Sequence, residues 1–149
     1  MKLSNAVFVL VLLIGGTPFA FAQSASHNKI WRVSEAYVVL AKEKANAKGD
    51  LYEVERNFTP ETPQVKVAKL RLALFNREMK KLARTNARNA GKFSAAYGDL
   101  IVAKIRTEIE LFELREKFTP EYIAVKRKEV ELASLNSDLK KINQSQIRR

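Results

Sequence analysis

Two lysines stand where apolar residues are expected, and they have the clearest potential for chemistry. Lys44 and Lys104 occupy equivalent positions in two amphipathic segments, each inside an apolar stripe. Asn76 and Asn136 form a second equivalent pair, which equal distances along the predicted helices place near the lysines. We favour lysine stems that pack while the ammonium groups reach water. The alternatives are a polar core layer of all four residues that fixes helix register, and an anion site between the halves of the chain.

Other catalytic or metal-binding chemistry has little support in the sequence. The chain has no Cys, and its single His, His27, stands in a polar segment. Zinc sites built from Cys and His and Cys/His nucleophile pairs are therefore absent. Acidic residues such as Glu108 and Glu110 alternate with Lys and Arg on predicted outer faces, as solvated helix charges do. We therefore predict a protein that is not an enzyme and uses no cofactor.

The segment 1–22 has the layout of a cleavable secretory signal. Lys2 precedes an unbroken apolar run at 6–14, and Ala-Phe-Ala at 20–22 places small residues before the cleavage point. The run is shorter than the roughly 20 residues that a membrane span requires. We predict a secreted protein, periplasmic in a bacterium, with a disordered polar tail at 23–29 and no transmembrane span in the mature chain.

Basic residues outnumber acidic ones throughout the chain. The net charge is +11 over 149 residues, and removal of the signal, which contains Lys2 and no acid, leaves +10. A basic surface attracts polyanions, which for an exported protein means envelope glycans, phospholipid headgroups or lipopolysaccharide rather than nucleic acid. The basic residues are spread at helical spacing, with no run longer than 126–128. We favour solubility as their role.

An internal duplication organises the mature chain. When the chain is laid over itself so that Leu51 meets Leu111, the ranges 51–82 and 111–142 align without a gap, and thirteen of the aligned positions are identical. The match includes the phrase Phe-Thr-Pro-Glu in both copies and extends upstream through Ser34 and Ser94. Repeats of this kind indicate one structural unit used twice.

Each copy reads as two amphipathic helices joined at the repeated phrase. Apolar residues recur every three or four positions on both sides of it, which is typical of helices packed as in a coiled coil. We predict an all-α fold, an antiparallel four-helix bundle built from two helical hairpins at 30–86 and 87–149 that form one domain. An elongated pair of hairpins that dimerises is the structural alternative.

The repeated phrase predicts the elbow of each hairpin. A residue before Pro is displaced from the helical region, so the preceding helix must end there. The Thr suits the N-cap position of the next helix, and the Pro suits its first helical position. The Glu places negative charge near the positive end of the helix dipole. We expect both Phe side chains to be buried, and Phe118 to pack on Ile123. Pro63 leaves open a later helix start at 62–63 in the first copy. The elbow residues are Phe58, Thr59, Pro60, Glu61, Phe118, Thr119, Pro120 and Glu121.

Residues 58–65, FTPETPQV, resemble the turn-plus-helix segment in the periplasmic coiled-coil hairpins of polysaccharide chain-length regulators. That family shows an aromatic-Thr pair followed by His-Pro-x-Val. The His is missing in this chain, and the second copy lacks the second Pro. The resemblance implies a helical hairpin in the cell envelope and carries no implication for control of polysaccharide length.

The function that these observations favour is an exported, non-catalytic helical module for binding, chaperone-like or scaffolding roles. The alternative is a binder of anionic envelope polymers or membrane surfaces through basic helix faces. The expected partner is a protein or an anionic polymer, with no nucleic acid, and a homo-oligomer is compatible with both functions.

Overall fold

The computed structural model describes residues 34–84 and 93–147, which form four helices. These are α1 (Glu35–Asn57), α2 (Pro63–Ala83), α3 (Ala95–Arg115) and α4 (Ile123–Ile147). No strand occurs in the described ranges, and the helices pack as a four-helix bundle, which confirms the predicted fold class. The predicted signal, the polar tail with His27 and most of the connection between the hairpins lie outside the described residues.

The first helix of each hairpin begins in the same way. The Oγ of Ser34 accepts a hydrogen bond from the backbone N–H of Tyr37 at 3.2 Å, and Ser94 accepts one from Tyr97 at 3.4 Å. Both serines have extended backbone angles, as N-cap residues do. The two caps therefore occupy equivalent positions of the duplication.

The first elbow is a β-turn followed by a helix start. The N–H of Thr62 donates to the carbonyl of Thr59 at 3.1 Å, which places Pro60 at the second position of the turn, where its fixed φ fits. Helix α2 then begins with Thr62 at the N-cap position and Pro63 as its first residue. The prediction that Thr59 caps the helix and Pro60 opens it is therefore wrong, and the later start is the observed one.

The second elbow repeats this turn without the second proline. The N–H of Tyr122 donates to the carbonyl of Thr119 at 3.0 Å, and α4 begins at Ile123, the equivalent in the second copy of the first residue of α2. Thr119 as N-cap and Pro120 as first helical residue are therefore also wrong. Since no proline stands at 123, the β-turn alone is sufficient to set where the second helix starts.

The elbow phenylalanines are much more exposed than we expected. Phe58 is 45% exposed and Phe118 is 40% exposed. Phe118 stacks on Tyr122, with 4.3 Å between ring centroids, whereas its expected partner Ile123 points largely into solvent. The expected burial is therefore wrong, and alanine at either Phe will destabilise the fold by less than the ~3–5 kcal/mol typical of a buried ring.

The main apolar core lies among α1, α2 and α3, because these three helices contact one another. Helix α4 packs chiefly on α3 and adds only Leu139 at the margin of that core. Polar contacts also join α4 to α3, including Lys128 with Glu110 at 2.6 Å and Thr107 with Glu131 at 3.0 Å. The buried core residues are Ala36, Leu40, Ala47, Leu74, Phe75, Leu82, Phe93, Ile101 and Ile105.

Helices α1 and α3 run side by side in the same direction, and their N-terminal ends are joined. The N–H of Ala36 donates to the carbonyl of Phe93 at 3.2 Å, and the N–H of Ala95 donates to the Glu35 carboxylate at 3.0 Å. A Cβ on Gly98 would lie 3.0 Å from the Cα of Ala36. The glycine therefore permits this close approach, and the parallel pairing brings both elbows to the same end of the bundle.

We predict opposite effects of alanine at the two described helical glycines. Gly49→Ala meets no atom within 4 Å and will stabilise the protein by about 0.5–1 kcal/mol through helix propensity. Gly98→Ala gains the same propensity but pushes against the backbone of Ala36, and such overpacking costs about 1–3 kcal/mol. Urea unfolding of both variants measures the difference. A Gly98→Ala protein as stable as Gly49→Ala would show that the α1–α3 contact is not tight.

Candidate functional site

A buried carboxylate on α2 is the centre of a polar cluster near the open end of the bundle, opposite the elbows. Glu78 is only 5% exposed. Its Oε1 accepts hydrogen bonds from Lys104 of α3 at 2.9 Å, from Lys81 at 3.1 Å and from the Arg77 guanidinium at 2.9 Å. One oxygen atom thus collects three cationic donors from two helices.

A second carboxylate extends the cluster along α3. Glu108 accepts from Arg77 at 2.6 Å and lies 3.7 Å from the ammonium of Lys104. Arg77 and Lys104 therefore each contact both carboxylates and connect α2 to α3. With Lys81, three cations face two anions, so the cluster as a whole is positively charged.

Burial and these cations act in opposite directions on the Glu78 carboxyl. Burial alone would raise its pKa, but hydrogen bonds and charge attraction from Lys104 and Lys81 outweigh it and hold the pKa below the ordinary value. Burial beside the negative charge of Glu78 raises the pKa of the Tyr97 phenol. Glu78 is therefore an anion, and Tyr97 a neutral phenol, at neutral pH.

A pocket of about 270 Å³ opens beside this cluster among α2, α3 and α4. Glu78, Lys104 and Tyr97 contribute to its wall, and α4 contributes Asn143 and Lys140. The Oδ1 of Asn143 is buried and has no hydrogen-bond partner within the described part of the chain. Such an orphaned acceptor is unfavourable unless a water or ligand donor satisfies it.

The four residues of the predicted polar layer have different environments, and two of them, Lys104 and Asn136, line the same pocket. Lys104 is buried and bound to Glu78 rather than extended to water, whereas Lys44 is half-buried and has no ion pair within residues 34–84 and 93–147. Asn76 is exposed, and Asn136 is exposed at the mouth of the pocket. The two lysines are therefore equivalent in sequence but differ in environment.

Sequence reasoning missed the carboxylate that pairs with Lys104 and the amide in the pocket. In the sequence, Glu78 stands out only because the equivalent residue of the second copy, Asp138, is also acidic. A useful signal was that Glu78 stands between Phe75 and Leu82 on the α2 face that turns out to be buried. A buried lysine and a buried glutamate on different helices could then have been paired. Asn143 stands out in the sequence only as the first residue of an Asn-Gln-Ser glycosylation sequon, which does not indicate a pocket.

A groove with an apolar floor forms the second candidate site, in the elbow half of the bundle. Its wider part has a volume of about 640 Å³ and lies between α1, α2 and α3, with Val54, Val67 and Phe112 in its lining. A hollow of about 300 Å³ shares Val67 and Arg71 with it and continues along α3 past Ile105. Arg71 pairs with Asp50 and Glu43 of α1.

Exposed apolar side chains concentrate at the elbow end, in the same half of the bundle as this groove, although none of them lines the groove itself. Among the described residues, seven large apolar side chains are strongly exposed, and five of them belong to the elbow end. Charges of the two signs balance there, since residues 52–66 and 112–127 carry six basic and six acidic side chains. The five exposed apolar residues at the elbow end are Tyr52, Phe58, Phe118, Tyr122 and Ile123.

Neither a metal centre nor a membrane-spanning helix is found in the described ranges. No cluster of three or more His, Cys, Asp or Glu side chains there has the arrangement to hold a metal ion. None of the four helices combines the length and apolar character needed to cross a bilayer.

Comparison with known proteins adds no family. No protein-family model matches the chain, and searches of curated proteins and of solved structures each returned no match. The resemblance to chain-length regulators stays a prediction, and the site itself must support any functional proposal.

We predict that methionine has different effects at the two repeated lysines. Lys104→Met leaves the buried Glu78 without its buried cationic partner, and breaking a buried pair costs about 3–5 kcal/mol, with the lower end expected because Lys81 and Arg77 remain. Lys44→Met will be neutral or stabilising, since no described partner is lost. Chemical unfolding of each variant measures this. Equal effects would mean that the buried pair is not an important stabilising contact.

The lowered pKa of Glu78 predicts a specific contribution to acid sensitivity. The ionised carboxyl is favoured in the folded state, so its stabilisation is present above the ordinary carboxyl pKa and is lost as pH falls through the lowered folded value. The stability difference between the parent protein and Glu78→Gln will therefore shrink between pH 7 and pH 3. Urea unfolding at pH 7 and at pH 3 measures this stability difference. Glu121→Gln, at an exposed position, is the control for the change of charge. A difference independent of pH would contradict the assignment.

Proposed function

We propose that the protein is an exported, non-catalytic module that binds apolar segments of partner proteins at its elbow end, in the manner of a chaperone or scaffold. The signal-like segment at 1–22 supports export. The observation that carries the binding role is the coincidence of exposed aromatic side chains with an apolar groove at one end of the bundle. Exposed patches of this kind, rimmed by polar groups, mark interaction sites.

The shape and charge of the groove favour an amphipathic segment. The lining contributed by α3 and the two residues after it runs from Val102 to Lys117, which corresponds to roughly 20 Å at 1.5 Å per residue. That length accommodates about four turns of a helix or a short extended segment. The rim carries both signs of charge, including Asp50, Glu113 and Lys66. A partner with an apolar stripe and mixed charges suits it better than a polymer of one sign.

A second candidate function, binding of an anionic envelope polymer, is favoured by the charge at the open end. All acidic residues lie in the described ranges, whereas six basic residues of the predicted mature chain lie outside them, in segments that adjoin the open-end termini of the helices. Exposed Lys80 and Lys140 belong to the same end. The six residues are Lys29, Arg32, Arg88, Lys92, Arg148 and Arg149.

Suppression of aggregation tests the proposed binding role. The mature protein is mixed with a reduced, unfolding model protein, and light scattering is followed over time. We expect the parent protein to suppress aggregation, and Phe58→Ser combined with Phe118→Ser to lose most of this activity, because both rings are exposed at the elbow end. Val38→Ser is the matched control, since Val38 is 60% exposed near the opposite end of α1.

The outcomes separate the two candidate functions. Loss of aggregation suppression in the double Phe→Ser variant, with full suppression by Val38→Ser, supports binding at the elbow end. Equal activity in all three proteins contradicts it. Suppression that disappears in about 0.3 M salt, irrespective of the elbow residues, favours the basic end, because exposed charges more than about 6 Å apart are then largely screened.

A further inference from the structure

We propose that the pocket beside Glu78 and Lys104 binds a small hydroxylated anion, such as a sugar acid or a hydroxy acid. The pocket lies at the open end among α2, α3 and α4, away from the elbow groove. Its volume of about 270 Å³ is close to the lower limit of small-molecule sites and so suits one small molecule rather than a polymer segment.

The rim of the pocket supplies positive charge. Lys140 of α4 is exposed at the rim and has no hydrogen bond or ion pair to any residue that the structure describes. The ammonium of Lys81 also lines the pocket, with 57% of its side chain exposed, while one of its contacts is Glu78. A carboxylate between these two ammonium groups would make charge-assisted hydrogen bonds without entering the apolar core.

The inner wall adds hydrogen-bond acceptors to these donors. The Glu78 carboxylate is ionised and therefore accepts only, and the buried Oδ1 of Asn143 accepts but has no donor within the described chain. Hydroxyl groups of a ligand can donate to both. Ammonium groups at the rim and acceptors on the inner wall together suit a molecule with an acidic group at one end and hydroxyls at the other.

Side chains at the base of the pocket are held in place before any ligand arrives. Lys104 is fixed by Glu78 and Glu108, and the side chains of Lys104 and Glu78 are only 8% and 6% exposed. Ile101 and Leu139 give the wall an apolar part on which a sugar ring can rest. Few additional side chains become ordered when a ligand binds to such a site, which keeps the entropic cost of binding low.

Titration of the predicted mature protein with glucuronate, by calorimetry and by NMR of the amide resonances, tests the proposal. We expect saturable binding, with resonances of α2, α3 and α4 near the pocket shifting together. Lys140→Glu should weaken binding about tenfold or more, as loss of a charged hydrogen bond does. Lys80→Glu makes the same change of charge on an exposed α2 residue outside the pocket and should leave the affinity unchanged.

A second variant tests the acceptor wall. Asn143→Leu keeps a side chain of similar size and removes the amide, so it should weaken glucuronate binding severalfold and leave the weaker binding of acetate unchanged. Circular dichroism of each variant checks that the helices are intact. No saturable binding by the parent protein, equal loss in Lys140→Glu and Lys80→Glu, or acetate bound as tightly as glucuronate would each overturn the proposal.

The same chemistry could come from a free sugar acid or from the end of a uronate polymer. Competition by short oligouronates with intact ends, at the same affinity per molecule as the monosaccharide, would identify a polymer end. Competition by the monosaccharide alone would identify a free ligand.

Discussion

The close parallel contact of α1 and α3 is the constraint on which the rest of the structure depends. Gly98 lets the backbones approach. Hydrogen bonds from Ala36 to Phe93 and from Ala95 to Glu35 join the two N-terminal ends. In a regular up-and-down bundle, first and third helices are diagonal and farther apart. Their approach in this molecule gives α2 contacts with both and leaves α4 chiefly on α3. The two elbows consequently lie at the same end of the bundle, and the polar pocket lies beside α4 at the other end.

The buried ion pair then specifies how α2 lies against α3. A Glu–Lys pair away from water does little for net stability compared with an apolar pair of equal volume. It disfavours alternative registers, however, because a shift of one turn would separate the two buried charges and leave each with only its more exposed partners. The apolar residues around it, Leu82, Ile101 and Ile105, would tolerate several alignments on hydrophobicity alone. The ion pair therefore contributes to uniqueness of the fold, while the surrounding apolar contacts contribute most of the stability.

The duplication was sufficient to predict four helices, two hairpins and the positions of both elbows, because period and repeat are properties of the sequence itself. It was not sufficient for the contacts between the copies. Lys44 and Lys104 are equivalent in sequence position, yet of the two only Lys104 has an ion pair in the described ranges, because the Glu78 carboxylate meets α3 rather than α1. The Phe side chains of the elbows were assigned to the core by type, and the β-turn directs them outward instead. Local patterns do not encode which hairpin packs on which face of the other.

Both proposed sites arise where the two copies cease to be equivalent. Ala47 is buried in the first hairpin, whereas Thr107 replaces it in the second and bonds to Glu131, which gives the α3–α4 contact a polar character. Leu135 of α4 is only partly buried, whereas its counterpart Phe75 in α2 is buried. The difference between the two ends has another origin, because the exposed Phe58 and Phe118 are equivalent residues of the repeat: both copies place an aromatic elbow at one end, and the proposed pocket lies at the other.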